Sequence, residues 1–136
     1  MARYSMAIQL GIKLILFSLQ TKSILMKKIE AVVRLSKFDS IRDALAKIGV
    51  RFFTMSDVKG FGLQKEQRVY RGSVYDADYI ARLQLDIVAN DSKVDEIVET
   101  IVKAGQTGKV GDGKITVYDV SSITRVRTGE TGADAL

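Results

Sequence analysis

The stretch KKIEAVVRLSKFDSIRDALAKIG, residues 27–49, changes its period part-way along. Ile29, Ala31 and Val33 alternate with Lys28, Glu30 and Val32, and most of the apolar positions are β-branched, so Lys27–Arg34 reads as a strand. Phe38, Ile41, Leu45 and Ile48 then recur at helical spacing. Ser36 with Asp39 three residues on is a short capping box, and Gly49 suits a left-handed helix stop. The second half of the chain repeats the plan. Arg82–Ala89 is a strand with Leu83, Leu85 and Ile87 on one face, and Asn90-Asp91-Ser92 opens a helix. That helix carries the stripe Val94, Ile97, Val98, Ile101 and Val102. Val50–Lys59 and Lys114–Tyr118 supply the remaining strands. Residues 63–81 have no clean period and read as a long loop, or as a ribbon extending the flanking strands. The order strand, helix, strand, loop, strand, helix, strand is the ferredoxin-like double βαβ, an α+β fold with an antiparallel sheet and both helices on one face. The other face also carries apolar groups, so burial between subunits is expected.

The chain has 136 residues, one domain's length. It contains no histidine, cysteine, tryptophan or proline. Those zeros exclude disulfides, thiolate zinc sites and imidazole acid-base or nucleophile systems. The net charge is +5. Residues 1–25 contribute +3 of it, through Arg3, Lys13 and Lys22 with no acid. The remaining 18 basic and 16 acidic groups nearly balance, which is poor ground for nucleic-acid binding. Ala7–Leu19 is mostly apolar but short of the roughly 20 residues a membrane span needs. Its basic start and apolar middle resemble an export signal, yet Ser18–Lys22 lacks a small-x-small cleavage pattern. Residues 1–25 are therefore expected to be an extra element or a start placed upstream of Met26, with residues 26–136 as the domain.

Three segments carry candidate chemistry. Gly60-Phe61-Gly62-Leu63-Gln64-Lys65 joins a strand end to the long loop. Gly108-Lys109-Val110-Gly111-Asp112-Gly113-Lys114 is glycine-rich, but it lacks Walker A spacing and opens a strand instead of a helix. Its amides suit either a tight turn or a phosphate cradle. Arg125 and Arg127 alternate around Val126 and would face one side of an extended segment. They suit phosphate recognition, a solvated face or pairing with nearby acids. Asp86 stands where an ion pair with Lys114 is as plausible as none. Tyr70, Tyr75 and Tyr79 read equally as anchors, modification targets or struts. No pair of carboxylates has the spacing of a glycosidic site or a metal cage.

Together these segments resemble the PII signal-transduction proteins. The motifs are Met26-Lys-Lys-Ile-Glu-Ala, Asp57-Val-Lys-Gly-Phe-Gly62, Tyr70-Arg-Gly72, Thr107-Gly-Lys-Val-Gly-Asp-Gly-Lys114 and Arg125-Val-Arg-Thr-Gly-Glu130. The resemblance implies a homotrimer with ATP and ADP competing for clefts between subunits. It carries nucleotide contacts to Thr54, Gly60, Gly62, Gln64, Asp86, Gly111, Asp112, Gly113, Lys114, Arg125 and Arg127. It implies Mg²⁺ held by Gln64 and the phosphates, with 2-oxoglutarate chelating the ion and meeting Arg82. Residues 62–80 correspond to the family's T-loop, with Tyr75 at the position some members uridylylate. The implied role is regulation, not catalysis, although weak ATP hydrolysis is associated with some members. The implied setting is the cytoplasm, with membrane association only through a partner. Implied partners are an ammonium transporter, glutamine synthetase adenylyltransferase or a nitrogen-sensing kinase.

The sequence also departs from the pattern. Leu63 stands where arginine is frequent, Glu66 where glycine is, and Arg82 where lysine is. The loop is one residue short between Lys65 and Tyr70. An adenylate-charge sensor, or a sensor of another small anion without 2-oxoglutarate coupling, is the alternative these changes leave open.

Overall fold

The structure, a computed structural model of the chain, describes residues 2–21, 26–62, 66–77 and 79–136. Its elements are α1 (Ala2–Thr21), β1 (Met26–Val33), α2 (Phe38–Lys47), β2 (Thr54–Gly60), β3 (Glu66–Tyr70), β4 (Ser73–Ala77), β5 (Ile80–Asn90), α3 (Val94–Gly105) and β6 (Gly113–Asp119). Four strands form one sheet in the order β2-β5-β1-β6, every pair antiparallel. That is the ferredoxin-like order expected from the double βαβ pattern.

Strand alternation decides where the core lies. Ile29, Ala31 and Val33 of β1 and Leu83, Leu85 and Ile87 of β5 point to one face and are buried. α2 and α3 cover that face with Ile41, Leu45, Ile97 and Ile101. Val102, placed on the α3 stripe by spacing, is 43% exposed and lies at its margin. The opposite face is more polar than the sequence suggested, with Lys28, Glu30, Gln84 and Asp86 across β1 and β5.

Several boundaries differ from the sequence reading. Ser36 does not cap α2, and Asn90 makes no side-chain cap. Both helices are entered through a 3₁₀ turn, Leu35–Lys37 and Asp91–Lys93, in which backbone carbonyls take the first amides instead. Gly49 does supply the left-handed stop just after α2, with φ +87°. Residues 50–53 lead into β2 without pairing, because the β2–β5 ladder runs only from Thr54↔Asp86 to Gly60↔Ile80. Phe53 turns inward onto Phe38, with ring centroids 6.4 Å apart, while its neighbour Phe52 is 80% exposed.

The long loop contains secondary structure of its own. β3 and β4 form a separate two-stranded sheet, turned by Arg71 (φ +48°) and Gly72 (φ +80°). Two consecutive positive φ angles make this a tight type I′-like turn. The ladder places Tyr75 opposite Arg68. Gln64, and with it the expected Mg²⁺ ligand, lies outside the described residues.

Among the described side chains of α1 none belongs to the core cluster, and Met6, Ile8, Leu10 and Leu14 are more than half exposed. Among the described residues no helix is long and apolar enough to cross a membrane. A chain beginning at Met26 should therefore unfold in urea within about 0.5 kcal/mol of the full chain. Leu85→Ala, by contrast, should cost about 2–5 kcal/mol in the same titration.

Candidate functional site

The turn between α3 and β6 is organised by one carboxylate. Asp112 accepts hydrogen bonds from the Thr107 amide (2.7 Å), the Thr107 hydroxyl (2.6 Å), the Gly108 amide (3.0 Å) and Arg34 Nε (2.9 Å). Arg34 Nη2 also donates to the Val110 carbonyl at 2.8 Å. The Thr107 hydroxyl, followed by Arg34, holds the Asp112 carboxyl well below the usual carboxylate range. Its negative charge is thus directed into the turn. Arg34 escaped the sequence reading because it stands at the end of a strand, 78 residues from its partner.

Gly113 is required where this turn enters the sheet. It has φ +108°, and a Cβ there would lie 1.7 Å from the Val32 carbonyl oxygen. The backbone itself blocks any side chain, so β6 begins flush against β1. The next residue, Lys114, pairs in register with Val32 at the outer edge of the sheet. It is exposed and forms no ion pair among the described residues.

The Asp86–Lys114 ion pair that the sequence left open does not form, because β1 lies between β5 and β6. Asp86 instead meets Lys28 Nζ at 3.0 Å and Gln84 Nε2 at 3.3 Å. That hydrogen bond pushes the Lys28 amine above its ordinary value. Sequence spacing hid Lys28, since two residues of neighbouring strands meet only once register is known.

The tail also differs from the extended segment expected. Thr124 bridges Thr131, and residues 126–128 form a turn between them. Arg125 is committed to this closure. Its Nη1 pairs with Glu130 at 2.9 Å, and its Nη2 donates to the Leu136 carbonyl at 2.6 Å. Arg127 is exposed and makes no ion pair among the described residues. The two arginines therefore have different surroundings, one spent on its own tail and one presented outward.

The loop base is held by Tyr79. Lys59 Nζ sits 4.5 Å from its ring centroid and Phe61 packs at 6.5 Å, so both loop ends meet on one ring. Arg82 lies beside them, opposite Val58, and is buried with Nη1 donating to the Ala81 carbonyl at 2.7 Å.

These groups form two sets at opposite edges. Gly60, Gly62 and Arg82 occupy the β2–β5 corner, and Gly111–Lys114 occupies the β6 edge at the same end of the sheet. Three strand spacings separate the edges, roughly 14 Å. Thr54 is paired with Asp86, and both line a cleft of about 830 Å³ that the tail borders through Ile123 and Leu136. Among the described residues no group of three acids could hold a metal ion.

A double βαβ sheet with a hairpin-bearing loop between β2 and β5 defines the fold class. Within that class the match is specific. The nitrogen regulatory protein P-II family model matches residues 26–130, and the chain belongs to this family. It is 45% identical over 112 residues to the nitrogen regulatory protein P-II of Pasteurella multocida, covering 82% of this chain and 100% of that one. It is 47% identical over 106 residues to nitrogen regulatory protein P-II 1 of Escherichia coli strain K12, covering 77% and 95%. Among solved structures, it is similar to Arabidopsis thaliana PII bound to citrate, with TM-score 0.70, 36% identity, and 84% and 92% of the two chains covered. It is also similar to B. subtilis GlnK, with TM-score 0.68, 40% identity, and 82% and 98% covered. Proteins of this family are regulators in nitrogen metabolism rather than enzymes.

Gly113→Ala should destabilise the fold by at least about 2 kcal/mol in urea, because a backbone oxygen cannot yield. Arg34→Met should leave the core intact but speed hydrogen exchange at Thr107 and Gly108. The pH dependence has a definite sign. A carboxyl depressed in the fold lends order above its unfolded value of about 4, and that order fades as pH falls through the lower folded value. Protection of both amides should therefore survive at pH 4 in the native chain and disappear only in stronger acid. Loss of protection at pH 5 would contradict the arrangement.

Proposed function

We propose that the chain senses ATP, ADP and 2-oxoglutarate as a homotrimer and signals through residues 62–80 to partner proteins of nitrogen metabolism. The observation that carries this is the separation of the two edge sets. Setting the β2 edge of one copy beside the β6 edge of another would bring Gly60–Gly62 and Gly111–Lys114 together on a single nucleotide. Three copies in a ring would make three such clefts.

The donors suit a polyphosphate. Lys114 and Arg127 are exposed cations without ion pairs among the described residues. The Thr107 and Gly108 amides are spent on Asp112, so phosphate contact falls to the stretch Gly111–Lys114. With its carboxylate engaged, Asp112 contributes through the main chain. Arg125 supports the site by fixing the tail that carries Arg127. Thr54 and Asp86 offer hydrogen-bonding groups for the nucleoside. Mg²⁺, held by Gln64 and the phosphates, would neutralise phosphate charge and supply the ion that 2-oxoglutarate chelates.

The proposed readout is ligand-biased order at the loop base. Arg82 and the Tyr79 contacts adjoin the hairpin, so a ligand held there biases how β3–β4 is presented. The cytoplasm is the proposed setting. An ammonium transporter, an adenylyltransferase or a nitrogen-sensing kinase is the kind of partner that would read the hairpin. Tyr75 is the proposed uridylylation position. No residue is assigned a catalytic step, and any ATP hydrolysis would be incidental.

A second reading, adenylate sensing without 2-oxoglutarate, is favoured by one observation. Arg82 is buried and already donates to Ala81, so its guanidinium is less available than an extended lysine amine.

Calorimetric titration separates the readings. ATP should bind, and Mg²⁺ with 2-oxoglutarate should tighten it. Lys114→Ala should weaken ATP about 10- to 150-fold, the equivalent of a charged hydrogen bond worth about 1.5–3 kcal/mol. ATP binding unaffected by 2-oxoglutarate selects the second reading, and no nucleotide binding contradicts both.

A further inference from the structure

Phe52 and Phe53 follow one another in the unpaired lead into β2, so their side chains diverge. Phe53 packs on Phe38 at the margin of the core, whereas Phe52 is 80% exposed. A large aromatic group exposed to that degree contributes little to folding. Yet Phe52 lines the cleft of about 830 Å³ whose walls also include Thr54, Asp86, Val88 and Leu136. The volume is that of a small-molecule site. The wall is apolar over most of its area, the Thr54 hydroxyl and the Lys28-paired Asp86 carboxylate lie on adjacent strands in direct register, and Arg51, Lys93 and Glu96 add charge around it. A flat heteroaromatic ring with polar edges matches this lining better than an aliphatic chain does. It would place one face on an aromatic surface and its ring edge against Thr54 and Asp86.

We infer that Phe52 is a stacking platform for the adenine of the bound nucleotide and sets the protein's preference for a base-bearing ligand over phosphate alone. The inference rests on the nucleotide reading above and adds a residue with a distinct job. The cations at Lys114 and Arg127 attract any polyphosphate. Phe52 sees only the base. Stacking tolerates different bases because each has a π face, while Thr54 and Asp86 supply the edge contacts that distinguish them. Because Phe52 carries little core packing, its replacement separates binding from stability.

The test compares ATP with inorganic tripolyphosphate, which has the charge and no base, by calorimetry on the full chain. Phe52→Ala should weaken ATP about 5- to 100-fold and leave tripolyphosphate within twofold of wild type. Phe52→Tyr should restore ATP affinity. Since the chain has no tryptophan, Phe52→Trp provides a single indole. Its emission should be quenched by ATP and left unchanged by tripolyphosphate, a response that a purely structural residue would not give. Equal weakening of both ligands, or weakening of neither, overturns the stacking role. So does a change in sedimentation mass on Phe52→Ala with both ligands weakened alike, which would make Phe52 a contact between copies. If the wild-type chain binds ATP and Phe52→Ala binds it equally well, only the stacking is lost. If the wild-type chain binds no ATP, the parent reading falls and the stacking role falls with it.

Discussion

β1 is hydrogen-bonded on both sides, to β5 and to β6, and its central position governs everything at the periphery. It sends β2 to one edge of the sheet and β6 to the other. The glycines at the end of β2 and the glycine turn before β6 therefore share an end of the sheet but stand at its opposite edges, roughly 14 Å apart. The same position keeps Asp86 from Lys114 and gives it to Lys28. A strand order set by burial of Ile29, Ala31, Leu85 and Ile87 thus decides which charges are spent internally and which remain available.

The glycine turn shows how local chemistry refines that arrangement. Asp112 looks, in sequence, like an acid placed awkwardly inside a phosphate loop. In the fold it is the organiser of the turn, gathering Thr107, Gly108 and Arg34 around one carboxylate. Gly113 lets the chain pass against Val32, and Lys114 follows immediately at the edge. A similar division of labour separates Arg125, which closes the tail, from Arg127, which faces outward. Residue type alone did not tell Arg125 from Arg127. Geometry divides them into support and presenter.

Much of the fold was legible because burial leaves a period. The alternation in β1 and β5 and the helical spacing of α2 and α3 all reflect one shared core. The segment 66–77 left no such trace. Its two strands pair only with each other and not with the main sheet, and Arg71-Gly72 is not the Asn-Gly pair that usually signals such a turn. The capping reading failed for a different reason. Ser36 and Asn90 have the right side chains, but a 3₁₀ turn brings backbone acceptors to the same amides first. The early start assigned to β2 reflects apolar content without a pairing partner. The site motifs were legible by resemblance, whereas Arg34, Lys28 and Phe52 needed register and exposure to be seen.

Each nucleotide site is proposed to be built from two copies. Mixed assembly tests it most directly. Thr54→Arg disables the β2 side and Lys114→Ala the β6 side, and neither residue is in the core. Each variant alone should bind ATP poorly. Co-refolded together, they should regain a fraction of wild-type sites, because some clefts then pair an intact β2 edge with an intact β6 edge. Recovery of ATP binding in the mixture is the predicted result. Mixed assemblies that form but bind no more ATP than either variant alone would place both halves of the site within one copy and contradict the account.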